Sequence, residues 1–287
     1  MELCNNTARY MIINGSMYDC TENSNEAFSF AALKSKDAVI IQEVFPCIEG
    51  MPLFYEKRYC RLKNALETLG NVDVISLDSL LEYMNMLSKI NNVSSFDFGV
   101  AFVADEKEAE NYFIIYQTAS YKLPLATMQD GVCLELFNAC RKTTKFNTFD
   151  DELSSSVERF KNTYGKPLFD VLLVNDDGEI TETFKSNFFY IKDDAVYTAE
   201  DEKVICGIIR DLVLETLAES SFSVSKTRVS RNEIETADAV FITNDVYGIL
   251  PVNSVGSLKF NSSNHELIKI LIKKYNDKIS EDIDLRK

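Results

Sequence analysis

The chain has 287 residues, 46% of them hydrophobic and 26% charged, with 10 Gly and 5 Pro. That balance excludes disordered and collagen-like chains and leaves room for one large domain or two medium ones. Acidic residues outnumber basic ones 45 to 30, a net charge of −15, which disfavours nucleic acid and anionic membranes as partners. A few cations in a cleft can still reverse the local potential, so an anionic small substrate is not excluded.

Residues up to Asn25 are polar and give no clear element. The Asn and Thr of MELCNNTARYMIINGS interrupt the apolar stretch a signal peptide needs, and nowhere do about 18 apolar residues run together, so neither export nor a membrane span is expected. Residues 37–45 (DAVIIQEVF) read as a buried strand. Residues 56–70 read as a helix, with Leu62, Leu66 and Leu69 on one face and Gly70 as its stop. A second helix is expected at 76–90, then strands at 96–104 and 112–118 joined by the acidic turn DEKEAEN. Residues 1–119 are thus expected to form a small α+β domain. Pro124 and Gly131 break both periodicities, so 120–128 reads as a linker, leading into a larger β-rich domain at 129–287.

In that second domain a strand is expected at 132–137, a helix at 150–164, and a hairpin of strands 169–174 and 179–191 around an Asp-Gly turn. A helix at 207–219, strands at 222–229 and 239–243, and a terminal helix including 267–275 complete the pattern. Seven cysteines without a Cys-x-x-Cys pair read as reduced thiols of a cytoplasmic protein. His265 is the only histidine, which removes histidine-based triads and most zinc sites; no metal is expected, and His265 itself reads as a surface residue near a helix start.

Five segments carry chemistry, and each also has an ordinary structural reading. A basic residue inside a helix, such as Arg61, is usually a solvated face, and Lys142 in the polar connection RKTTKF is usually an exposed ammonium. Alternation in NDDGEITETFKSNFFYI explains Ile180, Phe184 and Phe188 but not the five-residue spacing of Glu182 and Asn187. In VICGIIR, a Gly before a helix leaves backbone amides open to an anion. The fifth segment is ITNDVYGILPV.

In the order EVFPCIEGMPLFYEKRYCRL, KTTKFNTFD, NDDGEITETFKSNFF, VICGIIR and TNDVYGILPV, the chain resembles the class IV pyridoxal-phosphate enzymes. These are the branched-chain aminotransferases, D-amino-acid transaminases and 4-amino-4-deoxychorismate lyases. The likeness spans residues 37–252. It implies an α+β, two-domain, D-amino-acid-aminotransferase-like fold (fold type IV), pyridoxal 5′-phosphate held between the domains, and a homodimer.

Residue by residue, the resemblance implies that Lys142 is the catalytic, cofactor-bonding lysine and Glu182 the acidic partner of the pyridine nitrogen. It also implies that Arg61 and the backbone amides of Ile208 and Ile209 grip the phosphate, with Asn244 and Asp245 at the last phosphate-side position. Asn187 joins the cofactor-binding set. The chain departs from the family pattern at Arg58, Phe149 and Asp245, where relatives carry His, Tyr and Ser or Thr. Lys142-Thr143-Thr144 and Asn244 to Gly248 look like the Lys-Thr-Thr and Asn-Ser-x-x-Gly patterns of eukaryotic-type aminodeoxychorismate lyases. The implied activity is therefore a carbon–oxygen lyase of folate synthesis, converting 4-amino-4-deoxychorismate to 4-aminobenzoate and pyruvate. An aminotransferase using the same residues is the alternative, followed by a relative without catalysis. For the substrate carboxylates, Tyr121, Lys122 and Arg210 are available, and the sequence does not choose among them.

Overall fold

A computed structural model describes residues 8–21, 39–70, 74–104, 111–148, 150–220 and 222–286. The chain divides into two compact units. Unit 1 comprises residues 1–121, 147–149 and 281–287; unit 2 comprises 122–146 and 150–280.

Unit 1 is built on strands β1 (Tyr10–Ile13), β2 (Ser16–Asp19), β3 (Val39–Phe45), β6 (Phe96–Ala104) and β7 (Asn111–Ala119). They form an antiparallel sheet in the order β2-β1-β7-β6-β3. A small ribbon of β4 (Cys47–Ile48) and β5 (Met51–Pro52) leads into helix α1 (Tyr55–Thr68). Leu62, Ala65 and Leu66 bury one face of α1, which packs on β3. Helix α2 (Leu77–Asn91) buries Leu80, Met84 and Leu87 at helical spacing, and the Ser76 hydroxyl caps its start by accepting from the Ser79 amide. The start of the strand expected at 37–45 and the acidic turn at 105–110 lie outside the described residues.

The N-terminal residues depart from expectation: β1 and β2 form a hairpin turned by Asn14 and Gly15, with φ of 47° and 80°. Positive φ at both central residues is what a two-residue hairpin loop needs, and Asn-Gly supplies it. The thiols depart as well. Cys20, after β2, is disulfide-bonded, whereas Cys47, Cys60, Cys133, Cys140 and Cys206 are free.

Gly99 of β6 lies opposite Tyr116 of β7, and a Cβ built on it would stand 2.2 Å from the tyrosine ring. Tyr116 is 1% exposed and hydrogen-bonded to Gln42, so it cannot swing away at low cost. Gly99→Ala should therefore destabilise the protein by about 1–3 kcal/mol, measured by chemical denaturation. A loss below about 0.5 kcal/mol would show that the ring yields.

Unit 2 contains a short helix α3 (Leu125–Asp130), within the stretch expected to be irregular, followed by β8 (Val132–Asn138), helix α4 (Asp151–Thr163) and β9 (Asp170–Val174). Then come β10 (Ile180–Thr183), β11 (Asn187–Lys192), β12 (Ala195–Thr198), helix α5 (Ile208–Ala218), β13 (Val224–Lys226) and helix α6 (Arg231–Glu235). The unit closes with β14 (Ala239–Asn244), β15 (Gly248–Val255), β16 (Leu258–Lys259) and helix α7 (Glu266–Asp284), whose residues from Glu281 belong to unit 1. His265, half-buried, immediately precedes α7. The sheet runs β10-β9-β8-β15-β14-β11-β12-β13, with β16 on β15. Strand β8 is parallel to both β9 and β15, which makes the sheet mixed. Its core gathers Leu134, Leu172, Phe188, Tyr190, Ile242 and Leu250.

The single strand expected at 179–191 is two strands. After a hairpin to β9, β10 stops at Thr183, and β11 pairs instead with β12 and β14. Among the described residues no helix is long and apolar enough to cross a membrane.

Candidate active site

The break between β10 and β11 is made by a buried carboxylate from another strand. Asp170, 1% exposed at the start of β9, accepts from the Thr183 hydroxyl at 2.7 Å and the Lys185 amide at 2.9 Å. Burial raises the Asp170 pKa, and these hydrogen bonds oppose the rise. Thr183 in turn donates its amide to the Ser186 carbonyl at 2.8 Å and accepts from the Ser186 amide at 2.8 Å. A four-residue turn, 183–186, results, and Glu182 and Asn187 flank it. Their spacing in the sequence is the spacing of two residues facing each other across that turn.

Glu182 is 3% exposed. Its Oε2 accepts from Asn187 Nδ2 at 3.0 Å and from the Ile205 amide at 3.2 Å, while Oε1 accepts from Arg141 Nε at 2.6 Å. Burial pushes its pKa up and the Arg141 guanidinium pulls it back, with burial the larger effect. The Asn187 amide is fully committed: Nδ2 also donates to the Ile205 carbonyl at 2.7 Å, and Oδ1 accepts from the Gly207 amide at 3.2 Å.

Gly207 is the N-cap of α5 and offers no side-chain cap, so the first amides of the helix, those of Ile208 and Ile209, point outward along its axis. A Cβ on Gly207 would meet Asn187 Oδ1 at 2.6 Å. Gly207→Ala should therefore push Asn187 off both Gly207 and Glu182, costing about 1–3 kcal/mol of stability. Chemical denaturation checks it; a loss below about 0.5 kcal/mol would show that Asn187 yields without strain.

Thr243 of β14 lies opposite Asn187 in the sheet register and so shares its face. It is 2% exposed, and its hydroxyl has no hydrogen-bond partner among the described residues. The neighbouring loop is tied to the 183–186 turn. Asn244 Nδ2 donates to the Lys185 carbonyl at 2.5 Å, and the Tyr247 and Ser186 hydroxyls lie 2.6 Å apart. Asp245, half-buried, follows Asn244 in the same loop.

Lys142 is not brought to Glu182. Its ammonium is 68% exposed and lies 3.6 Å from Asp150 and 3.4 Å from Glu152, at the start of α4. Such exposed pairs hold a side chain weakly, so Lys142 is able to rotate. Its neighbour Arg141, to which the sequence drew no attention, faces the opposite way and binds Glu182. The only signal available was the alternation of side chains along an extended segment.

Arg61 belongs to unit 1. On α1 it grips Glu43 with both arms, Nε to Oε2 at 2.8 Å and Nη2 to Oε1 at 2.6 Å. Arg58, 1% exposed, lies 3.4 Å from the same carboxylate and donates to the carbonyls of Leu53 and Val44. Phe149 lies outside the described residues. Of the groups considered for the substrate carboxylates, Arg210 is excluded, because it is 1% exposed and bound to Asp201 at 2.7 Å and to the Ala199 carbonyl. Tyr121 and Lys122 are exposed.

Residues 41–255 match the model of the amino-transferase class IV family, and the chain belongs to that family. Pyridoxal phosphate is the cofactor of the family. The chain is 24% identical over 282 residues to the aminodeoxychorismate lyase of Bacillus subtilis (strain 168), covering 88% of this chain and 93% of that one. It is 29% identical over 93 residues to the branched-chain-amino-acid aminotransferase of Pseudomonas aeruginosa, covering 32% and 30%. Among solved structures, the branched-chain amino acid aminotransferase of Escherichia coli has a TM-score of 0.79 at 19% identity, covering 95% of each chain.

Proposed function

We propose that this chain is a pyridoxal-phosphate-dependent lyase that converts 4-amino-4-deoxychorismate to 4-aminobenzoate and pyruvate. The observation that carries the reading is the extent of likeness to the Bacillus subtilis lyase, nearly end to end in both chains, against a 93-residue match to the Pseudomonas aeruginosa aminotransferase.

The residues present fit the cofactor. The start of α5, with no side-chain cap, and the buried Thr243 hydroxyl supply donors that have no partner among the described residues, as a phosphate requires. Each carboxylate oxygen has two acceptor positions, and Glu182 Oε1 receives one hydrogen bond among the described residues, leaving room for a ring nitrogen. The Ile208 and Ile209 amides and the Asn244-Asp245 backbone would hold the phosphate; Asn187 would orient Glu182.

When bound, the cofactor supplies an electron sink next to the substrate's amine-bearing carbon. Lys142 Nζ removes the proton from that carbon, and Glu182 keeps the ring nitrogen protonated. Lys142 then returns a proton to the methylene carbon of the departing pyruvate as the carbon–oxygen bond breaks and the ring becomes aromatic. In this reading the protein is a cytoplasmic homodimer acting in folate synthesis.

The test is 4-aminobenzoate formation by purified protein with added pyridoxal phosphate, using substrate generated enzymatically. Product is expected; its absence together with 2-oxo acid release from leucine or D-alanine would replace the lyase by an aminotransferase.

A further inference from the structure

Arg141 is 12% exposed, and among the described residues its guanidinium meets a carboxylate, two carbonyls and an aromatic ring. Nε donates to Glu182 Oε1 at 2.6 Å, Nη2 donates to the carbonyls of Thr183 (3.3 Å) and Phe184, and the guanidinium carbon lies 5.7 Å from the centre of the Phe184 ring. The other donors to Glu182 among the described residues, Asn187 Nδ2 and the Ile205 amide, are neutral, and the buried Arg210 adds a weaker pull toward the ionised form through its charge alone. A buried carboxylate with only neutral donors tends to take up a proton, which turns one oxygen from acceptor to donor. A guanidinium keeps its charge at every working pH, and its rigid fork binds the carboxylate and the adjacent turn at once. Arg141 and Lys142, consecutive in sequence, thus carry two cations in opposite directions.

We propose that Arg141 is a positioning residue for the cofactor, holding Glu182 ionised and fixed in orientation as the acceptor for the cofactor's ring nitrogen. This rests on the cofactor reading above and adds to it a residue on the far side of the carboxylate. Lys142 is left for proton transfer, and Arg141 for the electrostatics that make Glu182 useful.

The experiment is a titration of the protein with pyridoxal phosphate between pH 6 and pH 9, for the native protein, Arg141→Gln, Arg141→Lys, Glu182→Gln and the Arg141→Gln/Glu182→Gln pair. Gln keeps donors for the Thr183 and Phe184 carbonyls but removes the charge. Arg141→Gln should raise Kd on the order of tenfold at pH 6 and by less at pH 8, because each unit by which the carboxylate's pKa rises above the pH costs a factor of ten in its ionised form. Arg141→Lys should restore most of the affinity. In the Glu182→Gln background, Arg141→Gln should add little, and what it adds should not depend on pH.

A loss that is independent of pH and persists beside Glu182→Gln would assign Arg141 to the turn alone and overturn the proposal. Equal affinity of native protein and Arg141→Gln would overturn it too, leaving the cofactor reading intact. No binding by the native protein would defeat the cofactor reading and this proposal with it. If Arg141→Gln does not fold, the uncharged pair decides: folding restored by Glu182→Gln supports the ion pair, and continued failure overturns it.

Discussion

Replacing Lys142 with Ala is expected to reduce 4-aminobenzoate formation below detection while leaving the protein folded. The side chain is 68% exposed and makes only two weak, solvent-screened ion pairs, so its removal should cost well under about 1 kcal/mol of stability. Its chemical loss is large, since one positioned acid or base contributes roughly 10²–10⁴-fold and Lys142 is assigned both tasks. Lys145, also exposed and three residues on, is the control: Lys145→Ala should keep turnover within about threefold. Turnover retained by Lys142→Ala and lost by Lys145→Ala would move the chemistry to the second lysine.

The largest effect on stability is expected at Glu43. Its carboxylate, 3% exposed, is shared by the guanidiniums of Arg58 and Arg61, one buried and one 20% exposed. Glu43→Ala removes that anion from beside Arg58, and breaking such a buried pair typically costs about 3–5 kcal/mol. Glu43→Gln preserves two hydrogen-bonding atoms and should cost less. Urea denaturation of both variants checks the order; a loss below about 1 kcal/mol for Glu43→Ala would show that backbone carbonyls alone satisfy Arg58.

Local chemistry made much of the fold legible. The β-branched run of β3, the leucines of α1 and the Gly178 turn after β9 are each determined by neighbours in the sequence. Asn14-Gly15 was equally local, but its flanking strands are short and half exposed, so polarity hid them. The break after β10 was not local at all. Alternation from Ile180 to Phe188 runs straight through it, and only Asp170, on another strand, reveals why the chain turns there. The same holds within the site. Glu182 and Asn187 stood out by spacing, whereas Arg141 acquires meaning only when residues 41 positions apart meet at 2.6 Å.

The parallel pairing of β8 with β15 joins the two halves of the unit 2 sheet, with Val132 opposite Val252 and Leu134 opposite Val255. Closing that seam requires ordering a long intervening chain before any of its hydrogen bonds can form, and such non-local topology slows folding. During synthesis, β8, β9 and β10 can associate early, yet the edge of β8 must wait until residue 255 has been made. A chain stopped before Gly248 would expose that edge for pairing with other molecules, so truncated products should aggregate rather than accumulate as a soluble half.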